Sequence, residues 1–383
     1  MLDPSRPYND LPMLPPAADV ETRVILKKWG LARTALAELR LAGPLLPDQT
    51  VLISAIPLLE AKDSSEIENI VTTNDALFRE ASLREKEGEP TAKEALRYRT
   101  ALYHGLEALK ARPLSTRIAV EICQTITAVQ LDIRAVPVKL TNRHTGEVIY
   151  TPPDGEARLR DLLTNWERYL HDQQDGVDPL IRMAVLHYQF EAIHPFPDGN
   201  GRTGRILNIL CLVERGLLDL PTLYLSRYIL RNRAEYYRLL ERVTSHQEWE
   251  PWILYMLTAV EVTSNWTTQK IKAIRALMDD TDAIVRADAS KIYSHDLVQL
   301  IFTQPYCRIA NLIDRGIAKR QAASTYLKEL VRLGVLREEK IGRDKVFLHR
   351  KYLDLLSSDE HTFEPYPRAA PQNLPKRAAR VHR

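Results

Sequence analysis

Apolar residues recur at helical spacing along most of the chain. The stretches at about 20–41, 91–110, 115–129, 155–171, 178–193, 232–244 and 248–262 each predict a helix, and another runs from about Asp48 through Leu59. Gly43-Pro44 ends the first of these, and Leu114-Ser115-Thr116 suits a helix start. Residues 1–17 are proline-rich and predict extended chain, either draped over the body or loose. Glu85 through Gly88 reads as a charged break. Within Val136 to Pro153 the pattern changes. Val138, Leu140, Thr141, Val148, Ile149, Tyr150 and Thr151 have strand character around a turn at 142–146, which predicts an isolated hairpin. A hairpin alone in a helical protein is marginally stable, which favours a functional role for it.

The C-terminal part has a different rhythm. Residues 266–290 form a charge-rich helical connector. Helices at 295–303, 308–315 and 318–333 follow, then Gly334 and a hairpin with strands at 335–338 and 345–348, turned at 341–344. Helix-turn-helix followed by a two-stranded wing resembles a winged-helix domain over 294–360. Its third helix carries Lys319, Arg320, Gln321, Ser324 and Thr325, polar enough for a major groove, and Arg343 and Lys345 on the wing could touch phosphate. Glu338, Glu339 and Asp344 dilute that charge, so protein docking is preferred to DNA. Residues 361–383, rich in proline, arginine and alanine, predict a disordered tail.

Composition adds limits. The chain has 383 residues and a formal charge of +3, too small to imply a polyanion partner for the whole molecule. Three cysteines, Cys123, Cys211 and Cys307, match neither a disulfide framework nor a zinc site. No apolar run approaches membrane-spanning length, and Met1-Leu2-Asp3-Pro4 begins no signal peptide, so a cytoplasmic protein without membrane contact is expected.

The chemistry concentrates between the helices on either side of His194–Arg205. Two prolines and two glycines exclude regular structure from His194 to Gly201, and a new helix starts near Gly201 or Arg202. Its free N–H groups and positive dipole end make an anion site, which Gly199 and Gly201 leave open to close approach. Arg202 and Arg205 share one helix face and can clasp phosphate oxygens. Asp198 is a hard oxygen ligand suited to Mg²⁺, and His194 has a pKa range suited to a general base.

This stretch resembles the core motif of Fic-domain proteins, His-x-Phe-x-Asp/Glu-Gly-Asn-Gly-Arg-x-x-Arg, at every defined position. The resemblance implies a mainly α fold: a helical bundle with a β-hairpin flap, followed here by the winged-helix-like domain. It implies transfer of AMP from ATP to a Ser, Thr or Tyr hydroxyl of a protein, the enzyme itself included, with release of pyrophosphate. The Doc branch, which transfers phosphate, departs from the Gly-Asn-Gly-Arg core that this chain keeps. Carried over by position, His194 is the base, Asp198 holds Mg²⁺, and Gly199, Asn200, Gly201, Arg202, Thr203, Gly204 and Arg205 bind the nucleotide phosphates. Tyr237, of the pair Tyr236-Tyr237, borders the base. The hairpin at 136–153 resembles the family's flap, with Thr145, Gly146 and Tyr150 toward the target, whose strand could add to its edge.

Ser64, Glu68 and Asn69 resemble the inhibitory motif Ser/Thr-x-x-x-Glu-Gly/Asn, on a helix at about 60–75. Glu68 paired with Arg205 would neutralise that arginine and place negative charge where a phosphate must sit. The expected organisation is an N-terminal helical region (1–110), a catalytic core (111–265), a connector (266–293), the winged-helix-like domain and the tail. Relatives often form homodimers, and ATP and a protein substrate are the implied partners. Two alternatives stand: a Fic enzyme using another donor or removing AMP, and a DNA-binding regulator whose core senses ATP.

Overall fold

The computed structural model describes residues 3–83, 89–142, 145–341 and 344–367. The expected charged break at 85–88, part of the flap turn, the tip of the wing with Arg343, and the tail from 368 onward lie outside these residues. The chain divides into two units, Met1–Lys272 and Ala273–Arg383.

In the first unit the helices are α1 (Arg23–Ala42), α2 (Thr50–Ile67), α3 (Asn74–Leu83), α4 (Pro90–Leu109) and α5 (Thr116–Thr127). The hairpin strands β1 (Leu140–Thr141) and β2 (Val148–Tyr150) follow, then α6 (Glu156–His171), α7 (Pro179–Ile193), α8 (Asn200–Glu214), α9 (Leu225–Arg231) and α10 (Arg233–His246). α11 (Trp249–Asp288) is one helix of 40 residues where two were expected, and the division between units falls within it. The one proline, Pro251, lies in the first turn, where a helix tolerates it, and neither Gly nor Pro falls between the predicted segments, so nothing local breaks the helix there. α3 and α9 were not foreseen. The N-terminal strap is draped over the body: Tyr8 N donates to Thr151 O (3.0 Å), Leu14 N donates to Asn165 Oδ1 (2.7 Å), and Leu11 is buried.

α7 and α8 form the centre. Twelve of the fifteen α8 residues are buried, and α7 is buried almost all round. Such helices are wrapped by others, and α2, α4, α5, α6 and α10 supply the cover. Trp252 on α11 closes the core, its indole N–H donating to Ala184 O (2.8 Å).

The expected inhibitory helix at 60–75 is not a separate element. It is the last turn of α2, which continues through Pro57 and ends at Ile67. Ile70 N donates to Ser65 O (3.0 Å), Asn69 N donates to Glu66 O (2.9 Å), and Asn69 adopts φ 65°. This is a Schellman end, in which the residue after the cap must be left-handed, a place for Gly or Asn. Two buried acids pin α2 in place. Glu60 accepts from Ser226 N (2.8 Å) and Tyr98 OH (3.1 Å), and Asp63 accepts from Tyr224 OH (2.6 Å).

The second unit continues α11 into α12 (His295–Thr303), β3 (Tyr306–Cys307), α13 (Ile309–Asp314), α14 (Arg320–Arg332), β4 (Arg337–Ile341), β5 (Asp344–Leu348) and α15 (Arg350–Ser357). All three strands pair antiparallel in the order β3-β5-β4, with Arg337 opposite Leu348 and Tyr306 opposite Leu348 on the other side. The three helices and the hairpin follow in the order expected, with β3 inserted between the first two helices. The short β3 and α15 were missed. The expected tail begins later than residue 361: Tyr366 is buried, and its N–H donates to Asp280 Oδ2 (2.8 Å). Among the described residues no helix is long and apolar enough to cross a membrane.

Candidate active site

α7 stops where its sequence turns to His-Pro-Phe-Pro. His194 takes the left-handed cap position (φ 50°), its N–H still bonded to Phe190 O (3.0 Å). Phe196 is fully buried and meets Phe190 edge-on (6.2 Å), anchoring the loop. Asn200 closes the turn from both sides: Phe196 N donates to its Oδ1 (2.9 Å) and its Nδ2 donates to Phe196 O (2.8 Å). Its amide oxygen and one of its two N–H groups are thus committed to the loop. Gly199, at φ 81°, leads into α8, and a Cβ there would press on Cys123 and Thr127 at 3.2 Å.

The N-terminal turn of α8 presents Gly201, Arg202 and Arg205 on one face. Thr203 points instead into the core beside Cys123, and Gly204 lets α8 pack against Glu191 and His187 of α7. These two positions shape the packing and do not face a ligand, which corrects their assignment as phosphate ligands. Helical periodicity separates them: 201, 202 and 205 lie on one side, 203 and 204 round the back.

Glu68 reaches into this turn. A Cβ on Gly201 would lie 2.4 Å from Glu68 Oε1, so the carboxylate sits directly over the start of α8. Arg205 Nη2 donates to Glu68 Oε1 (2.8 Å) and Ser64 O (2.9 Å), and Nε donates to Ser64 Oγ (2.8 Å). Burial alone would raise the Glu68 pKa, yet Arg205 beside it, with Arg202 and His194 farther off, holds it below the usual carboxylate range. Burial opposes the charge on Arg205, but Glu68 outweighs it and Arg205 is the more firmly cationic. Ser64 and Glu68, expected as a pair four apart, thus meet the same guanidinium. Asn69 accepts from Arg233 (3.2 Å) as well as ending the helix.

Arg202 is also occupied. Its Nη1 donates to Glu94 Oε1 (2.7 Å), and Asp198 Oδ2 is 3.6 Å from its Nη2. Glu94, on α4, was not foreseen; nothing in a single sequence links it to a residue 108 positions away. The Asp198 side chain is 79 % exposed. Among the described residues no group of three or more His, Cys, Asp or Glu could hold a metal. One exposed carboxylate beside an anion nest nevertheless suits Mg²⁺, which keeps most of its shell for water and phosphate oxygens.

His194 is half-buried and its Nδ1 has no partner. Burial, with Arg134 adding to it, lowers its pKa to about 4, while Glu68, the Glu191 carbonyl and Asp198 pull the other way. The ring is therefore neutral near pH 7 and able to accept a proton. Arg134 is a second unforeseen residue. Its side chain donates to His194 O (2.8 Å), Val136 O (3.1 Å) and Pro153 O (2.6 Å), tying both ends of the hairpin to the catalytic loop. Burial lowers its pKa, but it faces carbonyl oxygens on all sides. Glu191 is a third: burial pushes its pKa to about 7, and its Oε1 has no partner.

Tyr236 is buried, bonded to His187 (2.9 Å), whereas Tyr237 is 44 % exposed beneath the Arg233 guanidinium and electrostatically close to Glu68 and Arg205. Of the pair, Tyr237 is thus the ring open to a ligand at the site. In the hairpin, Thr145 and Gly146 are exposed at the turn. Tyr150 is not outward: its OH donates to Ala192 O (2.9 Å), so it anchors the hairpin, and Ile149, 52 % exposed, faces out instead. The alternation of β2 carried that signal.

Three stretches match family descriptions: residues 26–107 the Fic/DOC family N-terminal region, 113–212 the Fic/DOC family, and 277–352 the C-terminal domain of protein adenylyltransferase SoFic-like proteins. The chain belongs to the Fic/DOC family. A probable protein adenylyltransferase of Aquifex aeolicus is 41% identical over 85 residues, 22% of this chain and 23% of that protein. Protein adenylyltransferase fic-1 of Caenorhabditis elegans is 28% identical over 182 residues, 47% of this chain and 32% of its own length. The match thus spans a third or less of these relatives. A Fic family protein from Desulfovibrio desulfuricans G20 superposes with a TM-score of 0.55 at 18% identity, over 88% of this chain and 98% of that one, which shows a shared Fic fold.

Proposed function

We propose that this Fic protein transfers AMP from ATP to a Ser, Thr or Tyr hydroxyl of a protein and that Glu68 holds it in an inhibited state. The observation that carries the reading is the Glu68 carboxylate, seated over Gly201 and bonded to Arg205 at 2.8 Å, where a phosphate would otherwise lie. The first turn of α8 and the two arginines recognise the ATP phosphates, and Tyr237 offers a face to the base. Asp198 would hold Mg²⁺, which when bound neutralises phosphate charge and polarises the P–O bonds. His194 Nε2, neutral near pH 7, takes the proton of the attacking hydroxyl. The hydroxyl oxygen forms a bond to the α-phosphorus as the bond to the β-phosphate oxygen breaks, and pyrophosphate leaves. The hairpin, fixed by Arg134 and Tyr150, lays the target strand beside that oxygen, and orientation of this kind removes a large share of a barrier.

The related protein adenylyltransferases support this choice over phosphate transfer. The reaction is tested with ATP labelled at the α- or the γ-phosphate, Mg²⁺ and a cell lysate, using the Glu68→Gly variant. Protein label from the α-position alone is the expected result. Label from the γ-position would make the enzyme a phosphoryl transferase instead.

A further inference from the structure

We infer that the N-terminal strap, residues 3–14, is a positioning element for the target-binding hairpin: it fixes the root of the hairpin relative to the catalytic loop. The consequence for transfer rests on the AMP-transfer reading, whereas the grip on the hairpin is testable without any reaction.

The hairpin cannot hold itself. β1 and β2 contribute two and three residues, too few for a hairpin to be stable alone in water. The strap closes on its root. Tyr8 N donates to Thr151 O (3.0 Å), Thr151 Oγ1 donates to Pro4 O (2.6 Å), and Thr151 is buried. Asp154 N donates to Asn9 Oδ1 (2.8 Å). The Tyr8 ring meets Tyr150 edge-on at 6.5 Å, and Tyr150 is the residue bonded to Ala192 O, just ahead of His194. Buried Arg134 donates to Pro153 O (2.6 Å), so the root is gripped from the core by Arg134 and from the surface by the strap.

The other half of the strap is tied to two helices. Arg158 on α6 donates to Asn9 O (3.1 Å) and Leu11 O (3.0 Å). Asn165, also on α6, accepts from Leu14 N (2.7 Å) and donates to Leu14 O (2.9 Å). Gln189 on α7 donates to Pro12 O (2.8 Å). Leu11 and Leu14 are buried beneath these bonds. Chain ends fray unless they are tied down, and this one is tied at both halves. Pro4, Pro7 and Pro12 stiffen it, which lowers the entropy lost on docking. Because α7 runs on to His194, the strap connects the hairpin root to the helix that ends at the base.

The contacts distinguish support from blockade. A blocking strap would cover the outward positions of the hairpin. Among the described residues its hydrogen bonds to this segment fall instead at the root, on Thr151 and Asp154. Thr145, Gly146 and Ile149 stay exposed. The strap therefore holds the hairpin and leaves its target face open. Loosening it should cost orientation of the acceptor hydroxyl, on which a large share of the rate depends, and should not release activity.

The test uses the full-length protein with Asn9→Ala/Thr151→Val, which removes two bonds between strap and root and leaves Leu11 and Leu14 docked. Hydrogen–deuterium exchange of peptides covering residues 138–153 should quicken at least ~fivefold, since each lost bond is worth about two- to tenfold. In the Glu68→Gly background, with α-labelled ATP, Mg²⁺ and a cell lysate, the initial rate of protein labelling should fall at least ~fivefold. ATP affinity by calorimetry and the melting temperature should stay close to the parent's. Arg40→Ala on α1, which removes a surface pair with Asp219, should change neither exchange nor labelling. Asn9→Ala alone, a milder change should the double variant unfold, should still quicken exchange about twofold or more. Unchanged hairpin exchange would overturn the inference. So would quickened exchange with an unchanged or raised labelling rate, or an equal loss of ATP affinity. An unlabelled Glu68→Gly parent would instead sink the AMP-transfer reading, and hairpin exchange alone would then decide whether the strap positions the hairpin.

Discussion

Two sets of cations in this molecule have opposite fates. At the start of α8, the Arg202 and Arg205 side chains are 2 % and 1 % exposed, and each already holds a carboxylate of the protein, Glu94 or Glu68. On α14, Lys319 and Arg320 stand in solvent. The difference follows from burial. A buried guanidinium without a partner costs several kcal/mol, so a buried anion site in the unliganded protein must be filled by an internal substitute. An exposed lysine is satisfied by water at no such cost. On the proposed reading the α8 site therefore contains its own competitor, and access to it is a matter of displacement.

The largest expected effect removes chemistry without touching either set of cations. His194→Ala should lower AMP transfer by ~10²–10⁴. ATP affinity by calorimetry should stay within a few-fold, because the cations and the α8 turn are intact. Loss of ATP binding would instead make His194 part of the anion site. The same residue fixes a pH dependence. Its pKa is depressed to about 4, and the neutral form is the base. Activity should therefore be level from pH 8 down to about 5.5 and fall as pH drops through the folded value, rather than declining near 6.5.

A smaller effect separates the two internal carboxylates. Glu94 is partly exposed at 29 %, and Arg202 has Asp198 as a second anion nearby. Glu94→Gln should tighten ATP binding by only about two- to fivefold, the range of a partly solvated ion pair. A loss of binding would show that Glu94 positions Arg202 and does not compete for it.

The smallest effect is on the frame. Asn69 at φ 65° turns the chain so that Glu68 can point back at α8. Asn69→Ala should cost about 1 kcal/mol of stability, and Asn69→Gly should cost less, measured by denaturant unfolding. An Ala variant as stable as Gly would mean that the turn relaxes elsewhere.

Much of the frame was legible in the sequence because its signals are local. The helix–loop–helix around His194 announces itself by prolines, glycines and apolar spacing, and α12 and α14 lie where periodicity puts them. The helix ends were less so: α2 continues past the end expected for it because tertiary packing overrides a weak local break, and α11 continues because nothing local interrupts it. The site was legible in its motif and opaque in its surroundings. Arg134, Glu94 and Glu191 act through packing with distant or internal partners that no spacing records. Thr203 and Tyr150 were placed by motif position, but a motif does not tell a residue that meets the ligand from one that holds the frame. The acids of the wing were read as diluting charge because pairing within a strand pair is invisible until the register is known.

The central claim is that the Glu68 carboxylate occupies the place of a phosphate. It is tested most directly by the initial rate of α-labelled AMP incorporation into protein, wild type against Glu68→Gly, at equal ATP and Mg²⁺. Removing a like charge from a phosphate site relieves several kcal/mol of repulsion, so a rise of ~tenfold or more is predicted. Equal rates would contradict the claim and leave Glu68 as a structural partner of Arg205.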